Sequence, residues 1–413
     1  MNTRFTSFQK RLLAGAVLAY TLLYLDRLNL SAALPNLITG FHIDAARSGL
    51  MPLCFSVSYA CGQLTSGLLA DRVRPVHMIL TGLAGSMIVN LAMGLNCSFP
   101  VMPVLCLVNG LFQSMLWTPI VKMVSVAFPE KEKQEKAHFF LSFTLVIGHF
   151  AGWGLSGLSG AYLGWRYSFL LPAGINLLLF PLVIFLLRGT KQMDIKRTEK
   201  SSGSSKNSKG TGKLLLTTGF AWIVLASVFY GFVKDGIVTW TPELLSRSGK
   251  NVSAAISSLL LPALELLGIL LGFFLRFRVK GGVRRIIFGM MPAAAVFCVP
   301  LFFVTSLPVK AVFLGFACAV CFGVNPLLTS LVPMEYTPFG CTGFTAGLCD
   351  CSVYIGSALA GAVGGTVSEW LGGNGLYFCW ALAALLSALM CLVSSQRRYD
   401  PELQDISRNQ TAF

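Results

Sequence analysis

What most limits the fold of this chain is a repeated pattern: twelve apolar runs of about 20 residues, separated by short clusters of charge. They lie near residues 12–34, 50–69, 76–95, 101–123, 138–160, 168–187, 214–239, 253–275, 286–305, 309–331, 343–367 and 376–394. A helix of that length covers the roughly 30 Å of hydrocarbon in a bilayer, where backbone polar groups must be satisfied within the segment. The pattern predicts an all-α polytopic membrane protein with twelve transmembrane helices. The first run does not read as a cleaved leader. It lacks a small-residue cleavage site, carries Asp26 and Arg27, and precedes eleven further runs. Only 12% of the residues are charged, about half the share of a soluble domain. An ordinary soluble enzyme, a disordered chain and a nucleic-acid module are thereby excluded.

The 32 Lys and Arg outnumber the 17 Asp and Glu, for a net charge of +15. Their placement is a topology signal. Lys10 and Arg11, Arg72 and Arg74, Lys131 to Lys136, Arg276 to Arg285, and Arg397 and Arg398 all fall on one side. Arg47, Arg166, Arg247, Lys250 and Lys310 fall on the other. The positive-inside rule then puts both termini in the cytoplasm, and the short loops suggest a bacterial inner (plasma) membrane. The stretch 188–213, with SSGSSKNSKG, has no apolar face and reads as a cytoplasmic linker. It separates a six-helix bundle at 1–187 from a second at 214–413, which ends in a short tail. The halves echo each other, with Arg27 and Pro35 in one opening helix and Lys234 and Pro242 in the other. Two similar bundles related by a pseudo-two-fold axis suit a carrier that rocks about one central site.

The 12 cysteines show no metal or disulfide spacing. No nucleotide-binding sequence and no paired acid–base set stands out, so neither an enzyme nor a cofactor is expected. Ionisable groups inside apolar runs carry the functional signal, because each must face a cavity, a partner or the interface. They are Asp26, Arg27, Lys122, His149, Lys234, Asp235, Glu265 and Asp350. Arg27 and Lys234 hold matching places in the first and seventh helices, and an anion between them would relieve the repulsion and desolvation of both. Lys234 has a local alternative in Asp235. Asp26 points about 100° away from Arg27 around the helix and serves either as an ion-pair member or as a proton site. His149 is able to donate to an anion or titrate with it. Glu265 and Asp350 are each a proton carrier or a latch between halves, and Lys122 either lines the path or anchors. Tyr24, Asn29, Tyr59, Gln63, Gln113, Trp117, Tyr230, Trp240, Asn325 and Tyr354 are polar candidates for the lining.

Several stretches carry a closer resemblance: YLDRLNLSAALP at 24–35, GLLADRVRP at 67–75, GLFQSMLWTPIVKM at 110–123, GHFAGW at 148–153 with GWR at 164–166, and VKDGIVTWTPELL at 233–245. The chain resembles the major facilitator superfamily and, within it, the organophosphate:phosphate antiporters of the bacterial glycerol-3-phosphate and hexose-phosphate type. The resemblance covers residues 12–394. It implies that Arg27 and Lys234 hold the phosphate group, Lys234 standing where the family has a second arginine. It also implies that His149 and Trp117 border the substrate, and that Gln63 replaces a lysine of the glycerol-3-phosphate carriers. The expected activity is exchange of an organic phosphate ester for inorganic phosphate by a monomer in the lipid bilayer. The YLDRLNLS string is equally similar to the anion:cation symporters, which import organic acids such as sugar acids with protons. A membrane sensor built on the same fold is a third reading.

Overall fold

A computed structural model of the chain describes residues 5–69, 73–128, 130–188, 219–247, 259–279, 282–336 and 342–397. The expected linker beyond Arg188, part of the DRVRP loop, Lys250 and the extreme termini lie outside the described residues. Among the described residues the protein is an all-α polytopic membrane fold. Its long helices are α1 (Ser7–Phe41), α2 (Leu50–Leu69), α3 (Pro75–Leu95), α4 in two segments (Val101–Ser114 and Trp117–Ala127), α5 (Lys131–Leu163) and α6 (Tyr167–Leu186). After residue 218 come α7 (Phe220–Ser246), α8 (Leu260–Arg278), α9 (Val283–Cys298), α10 (Leu307–Pro326), α11 (Thr342–Trp370) and α12 (Gly372–Arg397). Eight of these regions are long and apolar enough to cross a membrane. The other four, α1, α2, α5 and α8, carry Arg27, Gln63, His149 and Glu265. Leu178, Phe185, Leu267, Phe274 and Leu389 face outward, as a lipid-facing surface requires.

Helix ends follow backbone capping more closely than the edges of apolar runs. α1 begins five residues before its apolar run because Thr6 and Gln9 form a capping box. It ends at His42, whose left-handed conformation returns its N–H to Ile38 and Thr39. In α4 the helix breaks at Met115 and Leu116. Pro119 has no N–H to offer the carbonyl of Met115, and its ring crowds that carbonyl. In α10 the last turn widens into a π-helical stretch at Leu327–Leu331, between Pro326 and Pro333.

Packing repeats between the two parts of the chain. α1 packs on α5 and α6, α2 on α4, and α3 on α4 and α6. In the same way α7 packs on α11 and α12, α8 on α10, and α9 on α10 and α12. Between the parts, α1 meets α7, α2 meets α11 and α5 meets α8. The side holding the described chain ends is tied by Arg11 donating to Arg188 O (2.8 Å), Gln9 to Ala127 O (2.8 Å) and Ser394 Oγ to Gly219 O (2.9 Å). On the opposite, far side the two parts touch. Ser31 Oγ donates to Val238 O and Thr239 O, Ser56 and Ser357 share a hydrogen bond of 2.8 Å, and the Ala46 N–H donates to Glu369. Gly361 allows α11 to pack directly on the backbone of Pro52 and Leu53, where a Cβ would collide.

Candidate substrate-binding site

Between the two parts lies a cavity of about 140 Å³, room for on the order of ten waters. Arg27 of α1 points into it. Its guanidinium carbon lies 4.7 Å from the Tyr59 ring centroid, 5.2 Å from Tyr354, 5.4 Å from Phe55 and 5.7 Å from Tyr24. It donates a hydrogen bond to the Tyr354 hydroxyl, so a residue of α11 touches the cation of α1. The π-faces attract the charge without neutralising it. Among the described residues Arg27 makes no ion pair.

Lys234 of α7 lines the same cavity. Its Nζ is 3.1 Å from Asp235 Oδ1 and 5.9 Å from the centroid of Phe322. The local pairing open to it from sequence is therefore made. Asp350 of α11 lines the cavity as well. His149 of α5 packs against Tyr24 and Phe322, and its Nδ1 lies 3.0 Å from Glu265 Oε2 on α8. Glu265 is fully buried, and its other oxygen is 3.5 Å from Cys318 Sγ. This pair joins α5 of the first part to α8 of the second. Trp117, at the start of the second segment of α4, packs against Tyr20 with ring centroids 4.9 Å apart and planes tilted by 34°, and also lines the cavity.

Other expected residues stand elsewhere. Gln63 donates to the Tyr59 hydroxyl (2.8 Å) and accepts from Thr118 (3.0 Å), which fixes Tyr59 under Arg27. Asn29 faces a smaller cavity on the far side of Arg27 and donates to Asn90 (2.6 Å). Asp26 is fully buried outside the central cavity. Its carboxylate accepts from Asn176, and its main-chain carbonyl accepts from Asn90, Asn109 and Gln113. Tyr230 is buried behind the cavity wall, its hydroxyl 2.9 Å from Cys321 O and 3.1 Å from Oδ1 of the lining residue Asn325. The Trp240 ring donates to Ala360 O and packs α7 on α11. Lys122 is half-buried outside the cavity lining. Tyr20, Phe322, Thr329 and Ser330 line the cavity without having been singled out. The last two lie in the π-helical stretch, and the N-P-x-x-T-S sequence at 325–330 was the available signal.

Residues 16–361 match the profile of the Major Facilitator Superfamily. The chain belongs to this superfamily. Among curated relatives, the glycerol-3-phosphate transporter of Bacillus subtilis (strain 168) is 26% identical over 273 residues, a match spanning 60% of each chain. A probable hexose phosphate transport protein of Chlamydia muridarum is 23% identical over 95% of this chain and 92% of its own. The fold also matches a bacterial homologue of the human lysosomal transporter Spinster, in an inward-facing, unoccupied conformation. Its TM-score is 0.75 at 16% identity, covering 96% of this chain and all of that one. The superfamily member described here is thus homologous to sugar-phosphate and glycerol-phosphate transporters, and the curated relatives and fold neighbour named here are transporters.

Proposed function

We propose that the protein is a secondary transporter that exchanges a small organic phosphate ester for inorganic phosphate by alternating access. Residues 1–187 and 214–413 are two six-helix bundles related by a pseudo-two-fold axis, with 188–213 as their linker. The recurrence of the α1–α6 packing pattern in α7–α12 supports this division. The carrier works as a monomer in a bacterial inner membrane, termini in the cytoplasm, and the contacts between the bundles close its far side.

The observation that carries the reading is Arg27. It is a cation seated at the joint of the bundles, held by rings and, among the described residues, in no ion pair with a carboxylate. A guanidinium offers two parallel N–H donors to a phosphoryl group. Phosphate bound there also faces Lys234, which keeps its pairing with Asp235, and so bridges α1 to α7. Sealing the cavity over an unpaired cation is costly in a low-dielectric interior, so the loaded form closes far more readily than the empty one. That asymmetry makes the carrier an exchanger. The names of its relatives, a glycerol-3-phosphate and a probable hexose phosphate transporter, support an organophosphate as cargo.

The test is uptake of labelled phosphate by proteoliposomes with and without internal phosphate, under an imposed pH gradient and without one. Uptake that requires internal phosphate and falls at least about 30-fold in Arg27→Ala bears the proposal out. Uptake of a sugar acid driven by the pH gradient, with no phosphate exchange, would sink it. That second reading, proton-coupled import of an organic carboxylate, draws on Asp26, a buried carboxylate that makes no ion pair among the described residues. Phosphate-ester binding without flux would point to a sensor.

A further inference from the structure

We infer that the organic cargo is a small zwitterion, a phosphate ester or phosphonate that also carries an ammonium group. The inference rests on the reading of the cavity as the cargo site, and it names the cargo's chemical class. Among the described residues, five Arg, Lys, His, Asp and Glu side chains line the cavity: Arg27, His149, Lys234, Asp235 and Asp350. Lys234 and Asp235 pair at 3.1 Å, and His149 is engaged by Glu265 at 3.0 Å. What remains is one cation, Arg27, and one carboxylate, Asp350, neither in an ion pair among the described residues.

Inorganic phosphate is small enough to sit on Arg27 alone, whereas the organic arm of an ester extends toward Asp350, and an arm without positive charge leaves that carboxylate unanswered inside a site walled by protein, where water screens poorly. An ammonium on that arm answers it with a charge-assisted hydrogen bond. The spacing is set by α11. Tyr354, which accepts from Arg27, follows Asp350 by four residues, so the two share a helix face about 6 Å apart. The Tyr354 hydroxyl that holds Arg27 and the Asp350 carboxylate thus reach the cavity from positions one helical turn apart on α11, a spacing that suits two or three carbons between a phosphoryl group and an amine. The rings of Tyr24, Tyr59 and Trp117 in the wall also favour an ammonium and its adjoining C–H groups. A volume of about 140 Å³ suits a molecule of this size.

The experiment compares uptake of labelled ethanolamine phosphate with that of ethylene glycol monophosphate, its amine-free counterpart. Proteoliposomes of the full chain are loaded with inorganic phosphate or with buffer alone. The expected result is a preference of about tenfold or more for the amine, lost in Asp350→Asn and kept in Asp350→Glu. The comparison in the unaltered protein decides by itself, so the result does not depend on how the variants fold. Equal uptake of the two esters, each requiring internal phosphate, overturns the zwitterion and leaves the exchange reading standing. Preferred uptake of the amine without internal phosphate supports the zwitterion and overturns exchange. Uptake of neither ester overturns both.

Discussion

Arg27 is specified by shape as well as charge, since four rings and the Tyr354 hydroxyl surround one planar group. Arg27→Lys keeps the charge and loses the fork and much of the ring contact. Phosphate exchange is expected to fall about tenfold or more, chiefly as a higher KM for phosphate in the proteoliposome assay. Lys234→Arg works in the opposite direction: a second fork facing the first is expected to lower that KM several-fold. Asp26→Asn should leave phosphate exchange within about twofold, because an amide keeps the side-chain volume and lies outside the cavity. Loss of exchange together with loss of any pH-gradient response would promote Asp26 to a coupling role. Arg27, Lys234, His149 and Asp350 were legible in the sequence because a charge in an apolar run must find a cavity or a partner. Asn29 and Tyr230 were not separable from true lining residues in that way. A helix surrounded by other helices is able to place uncharged polar groups on several faces, and which face meets the cavity is decided by packing.

At the scale of the helix, the twelve apolar runs anticipated the order of the long elements, and their edges were displaced where capping decided them. α1 gained a turn at its start from Thr6 and nearly two at its end before His42. The break in α4 was hidden, because W-T-P reads as part of one continuous run until Pro119 is asked which carbonyl it abandons. Pro119→Ala restores that missing donor. It is expected to raise unfolding stability by about 1–3 kcal/mol, seen in thermal unfolding of the purified carrier. It should also slow exchange, since Trp117 opens the segment that the break redirects toward the cavity. The widened turn at Leu327–Leu331 plays the matching part in α10, setting Thr329 and Ser330 into the cavity wall.

At the scale of the whole molecule, the described residues join the two parts at the cavity and on the far side, where Ser31, Ser56 and Gly361 bring α1 to α7 and α2 to α11. Gly361→Val adds atoms where the backbone of Leu53 already lies, so the far side is expected to part. A cysteine placed at Ser56 should then react faster with a membrane-impermeant thiol reagent applied from that side, while exchange falls about tenfold. The far-side seal also has a kinetic consequence. A carrier that rests with one mouth closed offers its site fully to one face and only fractionally to the other, and apparent affinity scales with that fraction. Half-saturation measured from the two sides of the membrane should therefore differ, although with equal concentrations on both sides no net flow arises. The lopsided resting state sets the concentration each compartment must reach to engage the carrier and leaves the direction of travel to the gradients.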